Sequence, residues 1–470
     1  MKIKKRVAIL TIALFAAFFA FGCAPRQGKT KLYIGYWPEG TNEQKITLYE
    51  KWENNFESAY PQYDIIASPY TYNPNTVTAK YVSGQLPTVF LMDFNYAQTA
   101  FNNGYIKDVS QIFNEKGWKN EVASDVLTQI SNGENVFGIP CEQYGAGMAV
   151  NLNMLSSADI IKKDFKGNYA LYDGSGNALY PNTFAKIEES AGKILERYGA
   201  DVSALFIPTA TEECGRLFCN VLYNFGCDNL IVKEGNSWRA DFNVEKMSNA
   251  LRWIKTMSQQ NYVNHTVSYG TNDWIQLLAD EKCAMAICYG NTLSLAVSSY
   301  KNLKGNLAFF PLPTETGKNS YTLWGGTVYA ISGKATEEQV EGVVKFLEYT
   351  GKTPYLTESA ITAIYEERAA EFEGGTALLP PISAWNNQNY TNVLTDAFYA
   401  CEPLNDDYFK EYFNGYATAK RGEEPHCRKE LYQTLNELQK SVTFSPTRYD
   451  VVELIENAES EFTKQYLLKS

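Results

Sequence analysis

Short apolar runs alternate with amphipathic stretches along most of the chain. Three runs are short enough, and bounded clearly enough by turn-forming residues, to predict buried strands, at residues 31–35, 63–67 and 88–92. Between the first two, Thr41-Asn42-Glu43-Gln44 has the form of a capping box and Pro61 closes the helix that follows. Strands that alternate with helices predict an α/β fold rather than a sandwich.

The same pattern continues through the middle of the chain. Five further helices are predicted at residues 182–198, 211–223, 243–259, 273–280 and 336–349, and another buried strand at residues 283–288. Residues 171–179 predict a hairpin. A calcium loop is conceivable there, but Ala178 stands where such a loop needs glycine, so the turn is favoured.

The N-terminus has the pattern of an export signal. Four cations precede an apolar run from Val7 to Phe21, which is too short for a comfortable permanent span, so residues 1–22 are predicted to be a signal peptide. The ending Ala20-Phe21-Gly22-Cys23 resembles a bacterial lipoprotein box, which predicts lipidation at Cys23 and a tether over residues 23–30. Cleavage without a lipid and a retained anchor helix are the alternatives. The chain is expected on the outer side of the cell membrane or in the periplasm.

Composition narrows the possible functions. A chain of 470 residues is too long for one hydrophobic core, which favours two lobes. Its net charge of −11 argues against nucleic-acid binding. With only two histidines, a His-rich metal site is not expected, and no cofactor is predicted. The eight cysteines after Cys23 are expected to be mostly buried free thiols, with one or two long-range disulfides possible.

Several short sequence motifs follow one another along the chain. They are Ser83-Gly84-Gln85-Leu86-Pro87, Asn103-Gly104-Tyr105-Ile106, Phe137-Gly138-Ile139-Pro140, Asn151-Leu152-Asn153-Met154-Leu155, Pro181 with Thr183-Phe184, Lys282-Cys283-Ala284-Met285-Ala286 and Trp324-Gly325-Gly326. In this order and spacing the chain resembles the extracellular solute-binding proteins of bacterial ABC importers, in the carbohydrate-type group called family 1. Thr88 and Glu281 depart from that family's usual Asp and Gly.

The resemblance implies a two-lobed, periplasmic-binding-protein-like fold of type II, with a ligand cleft between the lobes. The first lobe would comprise residues 31–147 and 311–379, and the second lobe residues 148–310 and 380–470. The implied function is capture of a carbohydrate, expected to be an oligosaccharide, by lobe closure and its delivery to an ABC permease. The chain is expected to be a monomer that contacts the membrane only through its lipid anchor.

The ligand is expected at the carboxyl ends of the strands and at the crossings between lobes. Sugars need flat aromatic rings for stacking and paired polar groups for their hydroxyls. The candidate ligand-binding residues that offer this mixture are Tyr36, Trp37, Asp93, Asn95, Tyr96, Glu142, Gln143, Tyr144, Tyr289, Asn291, Trp324, Gly325 and Trp385. For each of them, packing in the core or exposure on a loop is the alternative.

Two other functions fit parts of the sequence. An exported carbohydrate-active enzyme could use paired carboxylates such as Asp93 and Glu142, but no Gly-x-Ser-x-Gly, phosphate-loop or His-Glu-x-x-His motif occurs and no catalytic residue is predicted. The same fold could also bind a peptide, a polyamine or an anion. The 33 Tyr, 25 Phe and 8 Trp favour a sugar without excluding these ligands.

Overall fold

The computed structural model describes residues 28–40, 42–401, 406–413 and 420–468. The predicted signal peptide, Cys23 and most of the predicted tether lie outside these residues. Within them, no helix combines the length and the apolar character that crossing a membrane requires.

The first sheet is built from the N-terminal βα units. Strands β1 (Thr30–Ile34) and β2 (Tyr63–Ala67) pair in parallel, and β3 (Val89–Asp93) follows on the other side of β1. Helix α1 (Glu43–Ala59) starts where the Asn42 side chain accepts a hydrogen bond from the Lys45 amide, and it buries Trp52 and Phe56 against the sheet; Thr41 lies outside the described residues. The smaller helices around this sheet are α2 (Val77–Val82), α3 (Phe94–Asn102), α4 (Ser110–Glu115) and α5 (Ser124–Gln129).

One long strand, β4 (Ile139–Asn151), belongs to two sheets. Its first half pairs antiparallel with β12 (Thr322–Ile331), which also pairs with β3. Its second half pairs antiparallel with β10 (Cys283–Tyr289) and β11 (Leu307–Phe310). The strand order is β2-β1-β3-β12-β4-β10, with β7 (Ser203–Phe206) beyond β10. β4 is therefore the continuous connection between the two halves of the molecule.

The second half of the molecule packs helices around β10, β11 and β7. The predicted helices occur within about two residues of their expected ends, because their capping and apolar spacing are encoded locally: α7 (Phe184–Tyr198), α8 (Glu212–Asn224), α9 (Val244–Gln259) and α10 (Trp274–Ala279). The remaining elements here are α6 (Leu152–Ser157), α11 (Leu293–Ser299) and two hairpins, β5 (Lys162–Lys163) with β6 (Tyr169–Ala170) and β8 (Ile231–Glu234) with β9 (Ser237–Ala240). The predicted hairpin at residues 171–179 is confirmed by a bridge between Tyr172 and Ala178.

The C-terminal third returns to both halves. Helices α12 (Glu337–Tyr349), α13 (Glu358–Glu373) and α14 (Gln388–Tyr399) pack on the first half, with α13 against α1 and α14 against α13. After β13 (Lys420–Arg421), helices α15 (Arg428–Phe444) and α16 (Val451–Phe462) pack on α8 and α9 in the second half. Through its contact with α13, helix α14 thus lies on the first half of the molecule.

Eight cysteines fall within the described residues, and all eight are free thiols. Five of them are buried, at positions 214, 219, 227, 283 and 288. The described part of the chain is therefore held together by packing and hydrogen bonds rather than by disulfides.

Candidate functional site

The carboxyl end of β1 packs into the first lobe's core. The Trp37 ring lies edge-on to Tyr49 at 5.4 Å, and Tyr36 packs edge-on to Tyr329 at 5.0 Å. The Tyr36 hydroxyl is buried without a hydrogen-bond partner among the described residues, and burial raises its pKa well above the ordinary value. Of these two predicted ligand-binding residues, Trp37 packs in the core, and Tyr36 has a hydroxyl without a hydrogen-bond partner among the described residues.

The carboxyl end of β3 faces the crossing strand. The Tyr144 hydroxyl on β4 donates a hydrogen bond of 2.9 Å to Asp93 Oδ1. Burial raises the pKa of Asp93, while the Tyr144 hydroxyl and the Arg216 guanidinium act in the opposite direction. Next along the chain, Asn95 buries an unpaired Oδ1, and the Tyr96 hydroxyl donates to Glu213 at 3.4 Å. Because Tyr96 lies on α3 and Glu213 on α8, this bond joins the two halves.

A buried ion pair completes this region. Arg216 Nε on α8 donates to Glu423 Oε1 at 2.7 Å, and the Tyr432 hydroxyl donates to Glu423 Oε2 at 2.5 Å. The Arg216 guanidinium also lies 5.0 Å from the centre of the Tyr289 ring. Burial opposes ionisation of Glu423, but Arg216 holds its pKa below the ordinary value. We refer to Asp93, Tyr96, Tyr144, Glu213, Arg216, Tyr289 and Glu423 as the junction cluster.

Beside the junction cluster lies a cavity of about 350 Å³. Tyr144 belongs to both, since it lines the cavity and bonds Asp93. Both halves and the crossing segments supply the walls, through residues that include Glu142, Gln143, Asn291, Ser294, Tyr329, Lys352, Glu367, Arg368, Glu371, Pro380, Pro381, Tyr390, Tyr412 and Phe413. The volume falls within the range of about 300–1,000 Å³ typical of small-molecule sites.

Most charges on the cavity wall are already paired. Lys45 Nζ lies 2.7 Å from Glu371 Oε1, and Arg368 lies 2.8 Å from Glu371 Oε2. Burial opposes ionisation of Glu367, yet the adjacent Lys352 and Lys45 hold its pKa well below the ordinary value.

Two predicted residues leave polar groups available in this cavity. The Glu142 and Asn291 side chains are exposed on the wall and form no hydrogen bond with a described residue. Glu142 remains open to solvent, while the enclosing walls disfavour its charge and raise its pKa. A carboxylate from the crossing strand and an amide from the second half can therefore bind hydroxyl groups of a ligand.

The other predicted residues support the site from outside or lie elsewhere. Gln143 Nε2 donates to the Ser383 carbonyl at 2.6 Å, which fixes the loop that walls the cavity. Trp324 is buried against Phe94, with ring centres 5.8 Å apart, and Gly325 lies beside Arg216. Trp385, by contrast, is buried between Phe113 and Trp118 in the first half and is not among the cavity-lining residues, so the structure places it in the core.

Sequence reasoning missed the charged residues of the second half. Arg216 and Glu213 occur in a helix that was predicted only as an element, and Glu423 lies in a C-terminal stretch without a recognised motif. The one available signal was Arg216 itself, a cation within the apolar sequence Leu217-Phe218-Cys219 and its neighbours. Among the described residues, no group of three or more His, Cys, Asp or Glu side chains is arranged to hold a metal ion.

Comparison with known proteins gives the family context. The family described as bacterial extracellular solute-binding protein matches residues 51–365. No curated protein matches the chain.

Solved structures match almost the whole chain at low identity. The GacH receptor of Streptomyces glaucescens, solved unliganded and with acarbose, is 15% identical, with a TM-score of 0.63 and coverage of 93% of this chain and 98% of that chain. Maltose-bound MalE3 of Thermotoga maritima is 15% identical, with a TM-score of 0.63 and coverage of 93% and 99%. UgpB from Mycobacterium tuberculosis, in complex with glycerophosphocholine, is 13% identical, with a TM-score of 0.62 and coverage of 93% and 98%. These similarities show a two-lobed binding-protein fold.

Proposed function

Because the chain belongs to the bacterial extracellular solute-binding protein family, we propose that it captures a carbohydrate between its two lobes. The ligand we propose is an oligosaccharide, and the place is the cavity beside the junction cluster. The family comprises binding proteins, and the chain acts here as a receptor rather than an enzyme.

One observation carries this proposal. β4 runs through both sheets, and the cavity on its surface takes walls from both halves of the molecule. A ligand held there contacts both lobes at once, so it stabilises the arrangement in which they are close together.

The wall chemistry suits a sugar. Glu142 and Asn291 offer an acceptor and an amide to hydroxyl groups, and Tyr390 and Phe413 add aromatic surface for ring faces. The paired charges of Glu367 and Glu371 are held by Lys45, Lys352 and Arg368, so they define the shape of the wall without demanding a charged ligand.

Delivery to a permease and attachment to the membrane belong to the same proposed role. The receptor would deliver its sugar to the membrane subunits of an ABC permease, with lipid on Cys23 keeping it at the membrane and the receptor acting as a monomer. The sugar-bound arrangement would be the form that the permease recognises.

A thermal-melt screen tests the proposal. The chain from Gly28 onward is mixed with mono- and oligosaccharides, and each mixture is followed by chromatography. A sugar at about 100 times its dissociation constant adds about 2.7 kcal/mol to stability, which raises the melting temperature by a few degrees. The expected result is such a shift with the sugar recovered intact.

Three other results would overturn parts of the proposal. Consumption of the sugar during incubation would indicate an enzyme and direct attention to Asp93 and Glu142. A shift with glycerophosphocholine, a peptide or a polyamine, and none with sugars, would keep the receptor and replace its ligand class. Absence of a shift with every solute would contradict binding in this cavity.

A further inference from the structure

A small hairpin of the second half presents an aromatic side chain to solvent. β5 and β6 are joined by the turn Asp164–Asn168, and Phe165 at its tip is 93% exposed. This is the most exposed large apolar side chain among the described residues. An isolated exposed Phe is ordinary on a protein surface, so its surroundings decide what it means.

The hairpin holds this tip in a defined position. Asp164 Oδ1 accepts hydrogen bonds from the Lys166 amide at 2.8 Å and from the Asn168 amide at 2.9 Å, which fixes the turn. At the base, the buried Tyr169 donates from its hydroxyl to Asn306 Oδ1 at 2.9 Å, and its amide donates to the Tyr408 hydroxyl at 3.2 Å. The tip therefore projects from an anchored base.

The same hairpin carries three lysines, one of them beside the exposed ring. Lys162, Lys163 and Lys166 are all exposed, and none of them forms an ion pair with a residue that the structure describes. Lys166 Nζ lies 5.6 Å from the centre of the Phe165 ring, and Lys163 Nζ lies 4.6 Å from that of Tyr169. The one nearby acid in the turn, Asp164, directs its carboxylate toward backbone amides. Residues 162–168 thus hold three lysines and one acid, on a chain whose net charge is −11.

We propose that this hairpin, through Phe165 at its tip and its three lysines, binds the surface of an anionic phospholipid membrane. Lysines are attracted to acidic headgroups, and an aromatic side chain at the same point enters the boundary between headgroups and acyl chains. A single projecting ring can be buried only by a partner that rearranges around it or already has a pocket. A fluid bilayer rearranges and needs no preformed pocket. The contact would orient the second lobe at the membrane, and it is separate from the sugar cavity.

Vesicle co-sedimentation tests the proposal. The chain from Gly28, which contains every described element, is mixed with vesicles of equal parts phosphatidylglycerol and phosphatidylcholine, or of phosphatidylcholine alone. The variants are Phe165→Ser and Lys166→Glu. Matched controls are Leu468→Ser, an apolar residue 73% exposed elsewhere, and Lys304→Glu, an exposed lysine without an ion pair among the described residues.

The expected result is binding to the anionic vesicles that weakens in high salt, because each lysine near the surface contributes about fivefold to affinity. Lys166→Glu should lower the affinity by about fivefold or more, Phe165→Ser should lower it as well, and both controls should bind like the original chain. Equal sedimentation with both vesicle types would overturn the proposal, and so would unchanged binding of Phe165→Ser. Absence of binding to either vesicle type would also overturn it and would leave a protein as the partner of this hairpin. Melting curves of each variant check its folding, and sugar binding by the same samples shows whether the receptor itself is active.

Discussion

Two carboxyl groups of the junction cluster respond to burial in opposite ways. Asp93 has a hydroxyl donor from Tyr144 but no ion pair with a described residue, so burial dominates and its pKa lies above the ordinary 3.8. Glu423 is more deeply buried, which opposes its ionisation, yet the Arg216 guanidinium and the Tyr432 hydroxyl hold its pKa below the ordinary 4.5. The type of partner, rather than the depth of burial alone, therefore decides whether the pKa of a carboxyl group rises or falls.

These directions predict opposite dependences of stability on pH. Ionisation of Asp93 in the folded state lowers the free energy of unfolding. The original chain should therefore lose stability relative to Asp93→Asn as the pH rises through the pKa that Asp93 has in the folded state. Glu423 stabilises the fold when ionised, so the deficit of Glu423→Gln should be largest near neutrality and should shrink as the pH falls below about 4.5. Urea unfolding between pH 3 and 7, roughly from below the ordinary carboxyl pKa values to neutrality, measures both differences. Slopes of the same sign would contradict the assignment.

At the scale of elements, α8 is fastened to the segment before α15 by one buried ion pair. Arg216→Leu would leave Glu423 buried without its cation, and we expect a loss of about 3–5 kcal/mol in unfolding free energy. The double variant Arg216→Leu with Glu423→Leu removes both charges and should recover a large part of that loss. Denaturant unfolding of the two single variants and the double variant forms the thermodynamic cycle. Additive losses would show that the pair does not couple these elements.

β12 contains two glycines whose neighbours predict different costs. A Cβ at Gly326 would lie 2.2 Å from the Glu142 carbonyl oxygen and 2.5 Å from the Phe94 ring, so the crossing strands would have to separate. At Gly325 it would lie 2.9 Å from Arg216 Nη2 and 3.3 Å from the Tyr144 ring, so the nearest atoms it would meet belong to side chains and not to the backbone. Gly326→Ala should therefore destabilise the chain by about 3 kcal/mol and Gly325→Ala by about 1 kcal/mol. Melting temperatures of the matched pair give the order, and the reverse order would refute the explanation.

At the scale of the whole molecule, the elements were largely predictable and their assembly was not. Strand β2 was predicted with its observed ends, and α7 within two residues, because turn residues and caps are local signals. The sharing of β4 between two sheets, and the return of α14 to the first half, depend on contacts between residues far apart in sequence. The length of the chain favoured two lobes, but the type of fold and the cleft between the lobes were indicated only through family resemblance.

The candidate site likewise contains some residues that the sequence predicted and others that it did not. Asp93, Tyr144 and Asn291 could be selected because each occurs at the end or crossing of a recognised strand. Trp385 was selected by the same reasoning, but its ring packs between Phe113 and Trp118. Arg216 and Glu423 meet from positions about two hundred residues apart, and no local pattern predicts that encounter.

The most direct test of sugar binding between the lobes is calorimetric titration of variants on the cavity wall. The sugar identified by the melt screen is titrated into the original chain, Glu142→Gln and Asn291→Ala, with the exposed Glu196→Gln and Asn114→Ala as matched controls. Glu142→Gln replaces a charged acceptor by a neutral one, which should weaken binding by about tenfold, and Asn291→Ala should weaken it less. The controls should keep the original affinity. Unchanged affinity in both cavity variants would contradict the account.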